Sequence, residues 1–195
     1  MNDITEVVMR DGIPVEKGIT LTREFLDANQ ELFTKYLELW ILYPDLFLDV
    51  VQSVDDAKNF HLKPFQRIML RASMRYRYHF LTATRATSKS FTAYLCALVR
   101  AILLPNSSIM IASEVKGTVI NIAKDKFAQF FRHWPLLEKE LANRQDDGKT
   151  GVKSSTNYYE LYFKNGSQIT VVSKDTSRGL RATAAILEEC ALISE

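Results

Sequence analysis

A chain of 195 residues with 47% hydrophobic and 25% charged residues has an ordinary globular composition and can bury one substantial core. Its longest apolar run, Leu37 to Leu48, is broken by Glu38, Pro44 and Asp45 and is too short and too polar to span a bilayer; Met1 to Asp11 carries acids and no apolar h-region, so no signal peptide is expected there. The net charge of +2 conceals an asymmetry: residues 1–60 hold five Lys/Arg against twelve Asp/Glu, residues 61–100 eight against none, and the remainder twelve against eleven.

Residues 1–20 are polar and punctuated by Gly12, Pro14 and Gly18, and read as an arm without regular structure. From Thr22 the residues Phe25, Leu26, Leu32, Phe33, Tyr36, Leu37 and Trp40 recur at helical spacing, with Glu24 in the first turn; Pro44 ends this helix. A short helix follows over Asp45 to Val51, then a polar link. Pro64, acceptable at a first helical position, opens a helix through Phe65, Ile68, Met69 and Met74. The cationic stretch around it is either a polyanion-binding surface or a solvated face.

Beyond this point the period changes. Tyr78 to Ala83 is short and β-prone, Phe91 to Leu104 is an apolar helix stopped by Pro105, Ser108 to Ala112 is a strand, and Glu114 to Arg132 is helical and closed by Pro135. Strand alternating with helix points to an α/β fold with a parallel sheet and crossover helices. Glu140 to Thr156 is polar, with Gly148 and Gly151, and reads as a loop. Tyr158 to Phe163 and Gln168 to Val172 flank Lys164, Asn165 and Gly166 as a hairpin, and Ala184 to Leu187 is an apolar run that ends on Glu188 and Glu189. Cys96 and Cys190 sit in apolar surroundings and read as core thiols; His61, His79 and His133 have no second ligand at metal-binding spacing.

Chemistry concentrates in HFLTATRATSKSF, His79 to Phe91. Ala83, Thr84, Arg85, Ala86, Thr87, Ser88, Lys89 and Ser90 occupy the eight positions of a phosphate-binding loop, yet none is glycine. In that role Lys89 neutralises the outer phosphates, the Ser90 hydroxyl ligates Mg²⁺, and backbone N–H groups opening the next helix hold phosphate oxygens. Ser88 carries a steric cost if its φ is positive. The competing reading is an accidental Lys-Ser on an ordinary helix. A phosphate loop also needs an acid at the end of another parallel strand. Ala184-Ala185-Ile186-Leu187-Glu188-Glu189 has that form, with Glu188 for Mg²⁺ and Glu189 to orient or deprotonate water; the plainer alternative is a strand entering a charged turn. Gln66, 23 positions before Lys89, carries an amide able to pair with adenine and so to select ATP.

In this order the segments YPDLFLDVV, LKPFQRIML, YRYHFLTATRATSKSF, SIMIASEVKGTVINIAKDKF and SRGLRATAAILEEC, over residues 43–192, resemble the N-terminal ATPase domain of the large terminase subunit, the DNA-packaging motor of tailed bacteriophages. The resemblance implies a RecA-like P-loop NTPase, an αβα sandwich with a mostly parallel central sheet preceded by a helical segment. It divides the chain into an N-terminal arm and helical subdomain over residues 1–60 and a partial ATPase domain over 61–195, with no nuclease domain, as expected of a truncation. It implies ATP and Mg²⁺ as cofactors, and double-stranded DNA, the portal protein and the small terminase subunit as partners, in a homo-oligomeric ring on the procapsid in the host cytoplasm. Arg85 matches the arginine the family often places early in its loop. Arg178 matches a segment where the family places an arginine that reaches a neighbour's ATP, with Arg181 as substitute; the alternative is a surface arginine on DNA or a local carboxylate. Ser88, Ala83 and Glu188 depart from the family pattern. With a glutamate for the usual aspartate, the cation or its water shell must shift by roughly 1 Å or the strand must retreat. A non-catalytic relative acting in DNA binding or assembly, and a helicase-type ATPase, are the other readings.

Overall fold

The computed structural model describes residues 7–10, 13–16, 30–52, 60–84, 87–113, 118–142, 151–173, 177 and 179–188. The chain forms two compact units, Met1–Glu38 and Leu39–Glu195.

In the first unit, Val7–Arg10 (β1) and Ile13–Glu16 (β2) pair antiparallel with Val8 opposite Val15, where the sequence was expected to be an irregular arm. The overlooked signal is Asp11-Gly12, a dipeptide typical of two-residue hairpin connections. Helix α1, Gln30–Leu42, starts in this unit and ends in the second. The part of the expected helix before Gln30 lies outside the described residues.

The second unit opens with α2 (Pro44–Val50) and α3 (Pro64–Arg75), each with proline at its start, where the missing N–H costs no helical bond. Asp45 of α2 is fully buried, and it accepts hydrogen bonds from Arg71 Nε and Nη2, both at 2.7 Å, and from Arg67 Nη1 at 3.1 Å. Arg67 also forks onto Asp49 at 2.6 and 2.9 Å. Arg71 and Arg75 lie over the Tyr43 ring at 5.0 and 4.9 Å. Two of the eight cations of this stretch, Arg67 and Arg71, thus join α3 to its acidic neighbour α2.

Helix α4, Lys89–Leu103, is the most deeply buried helix of the core, with Phe91, Tyr94, Leu95, Leu98 and Val99 among its inward residues. Beside it runs α5, Thr118–His133, followed by the short α6, Pro135–Glu138. Edge-to-face pairs of Phe91 with Phe130 and of Tyr94 with Phe127 join α4 to α5. Trp134, fully buried, donates its indole N–H to the Leu48 carbonyl at 3.0 Å and ties α2 to the end of α5.

Five strands form one sheet: β3 (Ser108–Ser113), β4 (Val152–Ser154), β5 (Tyr158–Tyr162), β6 (Gln168–Ser173) and β7 (Ala184–Glu188), in the spatial order β4-β5-β6-β3-β7. The expected mostly parallel sheet is corrected to a mixed one, since β6, β3 and β7 are parallel but β4 and β5 join antiparallel. The physical reason is the tight β5–β6 hairpin, whose strands can only run in opposite directions. Strand β4 ends the polar segment expected to be loop throughout.

The strand expected over Tyr78 to Ala83 does not form; Tyr78 to Thr84 is exposed irregular backbone, with Phe80 78% exposed. Its β-prone residues find no strand partner among the described residues, and β propensity acts only through such neighbours.

Register fixes which side chains face the helices. Tyr159, Val171, Ile111 and Ile186 share a row, and Tyr159 stacks on Phe127 of α5. On the same face the last row is Ser173, Ser113 and Glu188, at the C-terminal ends of the three parallel strands. The other face carries Glu160, Thr170, Met110 and Ala185 in a row, none of them fully buried.

The β5–β6 turn anchors α4. Asn165 Nδ2 donates to the Ala101 and Ile102 carbonyls at 2.8 and 3.0 Å, and Ser167 Oγ to the Leu104 carbonyl at 3.0 Å. Gly166 has φ +82°, and a Cβ there would run into Asn106 Oδ1, so this position needs glycine twice over. With its C-terminus held at the start of β6, α4 points its N-terminus toward the row of Ser113, Ser173 and Glu188.

Candidate functional site

The site is built from the N-terminus of α4 outward. Ser88, which caps this helix, is left-handed, φ 57° and ψ 31°, and its side chain makes no capping hydrogen bond. Its carbonyl accepts from the Thr92 N–H and hydroxyl, both at 3.0 Å, which fastens the helix start from behind. The conformation is the one glycine normally supplies, so the serine retains a local strain of about 1 kcal/mol. Ser88→Gly is expected to raise the urea midpoint by the equivalent of about 0.5 kcal/mol, because relieved strain outweighs glycine's added chain entropy. A lowered midpoint would assign the serine hydroxyl a role that this geometry does not show.

Lys89 folds back over the loop. Its Nζ donates to the Ala83 carbonyl at 2.5 Å and to the Thr84 carbonyl at 3.2 Å, while the Thr87 hydroxyl donates to the Thr84 carbonyl at 2.8 Å. Ser90 is half-buried in the first turn of α4. Thr84, Thr87, Ser88, Lys89 and Ser90 are therefore gathered at one helix start. Arg85 and Ala86 lie outside the described residues, as do Arg178, Glu189 and Cys190. Arg181 is described and exposed.

Next to Lys89 opens a crevice of about 330 Å³, walled by Phe65, Ile68 and Met69 of α3 and by Leu81, Ala83 and Thr87 of the loop. Its lining is almost wholly apolar, with Lys89 at the rim, the composition common to ligand pockets. The site reading from sequence missed this wall; the i, i+3, i+4 spacing of Phe65, Ile68 and Met69 signalled an apolar face but not which element it would meet.

Gln66 is buried and is not among the residues lining this crevice; its side-chain oxygen accepts from the Lys63 N–H at 2.8 Å, capping its own helix. Adenine pairing through both ends of the amide would use that oxygen's second lone pair.

Glu188 sits half-buried at the end of β7, opposite Ser113. The fully buried Tyr94 is near it. Burial first, and then the Glu188 charge, push the phenol far above its ordinary range, so it stays protonated. Cys96, on the same helix, is raised by burial to about 11 and is an inert core thiol. Ser90 and Glu188 offer hard oxygen ligands of the type Mg²⁺ takes. Among the described residues no cluster of three or more His, Cys, Asp or Glu could hold a metal ion. No helix among the described residues is long and apolar enough to cross a membrane.

The sequence matches no protein-family model, and a search of curated proteins finds no match.

Proposed function

We propose that this chain is an ATP-hydrolysing motor module of the terminase large-subunit type, built on a RecA-like core whose parallel part is β6-β3-β7. The observation that carries this reading is Lys89. It stands at the start of a buried helix, behind a left-handed residue, arched onto loop carbonyls at the rim of an apolar crevice. On this reading the base lies against Phe65, Ile68 and Met69 with Gln66 behind it. The triphosphate replaces the carbonyls as partner of Lys89 and takes hydrogen bonds from the uncapped N–H groups of α4. Mg²⁺ when bound supplies charge neutralisation between the phosphates; Ser90 and Glu188 would hold it. Glu189 orients water, Arg85 assists the phosphates, and Arg178 or Arg181 serves a neighbouring subunit's ATP. The ring, its portal and small-subunit partners, and DNA translocation belong to the same proposal, as does a cytoplasmic setting in the infected host.

Steady-state ATP hydrolysis measured over a range of protein concentrations, with and without double-stranded DNA, tests it. A motor completed by neighbours is expected to show a specific rate that rises with concentration and with DNA. A flat, background rate would leave the second reading, a phosphate-loop relative that binds nucleotide or DNA without turnover. One observation favours that alternative: the loop is entered from exposed irregular backbone over Tyr78 to Thr84 rather than from a strand.

A further inference from the structure

Arg75 to Phe80, RYRYHF, carries charge and rings that the crevice does not use. The cations of residues 61–100 divide in the structure: Arg67 and Arg71 turn onto Asp45 and Asp49, while the run beyond the end of α3 faces water. Every residue from Arg75 to Thr84 is exposed. Tyr76, Tyr78 and Phe80 are 67, 83 and 78% exposed. Three large rings left in water within five residues forgo the burial that dominates the energetics of such side chains, and a cluster of this kind marks a surface of contact.

Charge indicates what meets it. Arg77 lies over the Tyr78 ring at 5.5 Å, so cation and ring are presented together. Arg75 donates to the Leu42 carbonyl at 3.2 Å and lies over the Tyr43 ring at 4.9 Å; both contacts orient this cation without neutralising it. No Asp or Glu occurs between Asp56 and Glu114. Two copies meeting through this run would set arginine against arginine, whereas a polyanion gains from the same charges. Among polyanions, a duplex keeps its bases stacked on one another and shows only their edges, while a single strand has free base faces for rings to stack on.

We propose that Arg75–Phe80 is a binding site for single-stranded nucleic acid, with Tyr76, Tyr78 and Phe80 stacking on bases and Arg75 and Arg77 pairing with the phosphates between them. The site lies outside the phosphate loop and does not rest on the ATPase reading. Stacking on rings and pairing with phosphates read neither base identity nor the ribose hydroxyl, so the site takes strands of many sequences.

Fluorescence anisotropy without ATP tests it, using labelled oligomers of about 20 thymidines, the same length of uridines, and a duplex of that length. The single strands are expected to bind at least about tenfold more tightly than the duplex; a preference between thymidine and uridine oligomers would support the site and identify the source of its strand. Tyr78→Ala is expected to weaken single-strand binding about tenfold and Tyr78→Phe to leave it near the wild-type value, because stacking needs the ring and not the hydroxyl. Arg77→Gln is expected to reduce the slope of log affinity against log salt by about 0.7. Urea midpoints of all three variants are expected to match the wild type, since these side chains are exposed. Duplex bound as tightly as single strand, or Tyr78→Ala and Phe80→Ala binding like the wild type, would overturn the proposal. So would oligomers that fail to bind while phosphatidylserine vesicles bind, or while the protein self-associates in sedimentation, in a manner lost in Tyr78→Ala; those results would make the run a membrane face or a contact between copies. Absence of ATP turnover would leave every one of these expectations in place.

Discussion

Lys89→Ala is expected to weaken ATP binding roughly a hundredfold while leaving the urea midpoint close to that of the wild type. The two halves of this expectation have different causes. The ammonium's present partners are the Ala83 and Thr84 carbonyls in an exposed loop, and contacts of that kind contribute little because water replaces them readily. A triphosphate in the crevice is another matter. It brings several negative charges to a wall of Phe65, Ile68 and Met69 that offers no hydrogen bonds, so the lysine supplies the nearest described cation at the rim. Charge-assisted hydrogen bonds contribute about 3 kcal/mol in such settings, which corresponds to roughly a hundredfold in affinity. Isothermal titration with Mg·ATP reads this directly. Equal dissociation constants for variant and wild type would remove the phosphate loop from the functional account, whatever the unfolding data showed.

Asp45→Ala is expected to destabilise the protein by about 3 kcal/mol, near the lower end of the range for breaking a buried ion pair. The lower end applies because the two arginines are not sealed in: Arg67 and Arg71 keep 28% and 36% of their side-chain surface in water, and Arg67 retains its fork on Asp49. The same contact sets a pH dependence. Burial pushes the Asp45 carboxyl upward, but hydrogen bonds from Arg71 and Arg67, with the Arg71 charge, outweigh it and hold the group below its ordinary value. A depressed carboxyl contributes its full stability above the unfolded value of about 3.9 and loses it as pH falls through the folded value. Wild-type urea midpoints are therefore expected to be insensitive to this group between about pH 5 and 7 and to fall below about pH 4, with that acid limb reduced in Asp45→Asn. Because α3 carries the crevice wall, Asp45→Ala is also expected to weaken ATP binding modestly. An Asp45→Ala protein as stable as the wild type at pH 7 would show that α2 and α3 are held by packing alone.

Local signals were legible in the sequence where local chemistry decides. Pro64 opened a helix, Lys164-Asn165-Gly166 made a hairpin turn, and the apolar run from Ala184 became a strand. Failures came where the outcome depends on distant partners. Tyr78 to Ala83 has strand composition, but a strand requires a neighbour. The charge asymmetry was visible as a count, yet it did not reveal that Arg67 and Arg71 would both turn toward one acid, Asp45, 22 and 26 positions earlier. At Ser88 the sequence offered only a condition, a steric cost if φ were positive, and the structure meets that condition with φ 57°. The crevice was not legible, because α3 and the loop meet only in three dimensions.

The docking of the β5–β6 turn on the last carbonyls of α4 constrains how the site responds to a ligand. A rod clamped at its tail by Asn165 and Ser167 can pivot but not slide, so displacement grows with distance from the clamp. The far end is Lys89. Small adjustments to an anion there would be expressed as a tilt of the whole helix against β7, with the sheet as fulcrum and the turn as its hinge pin.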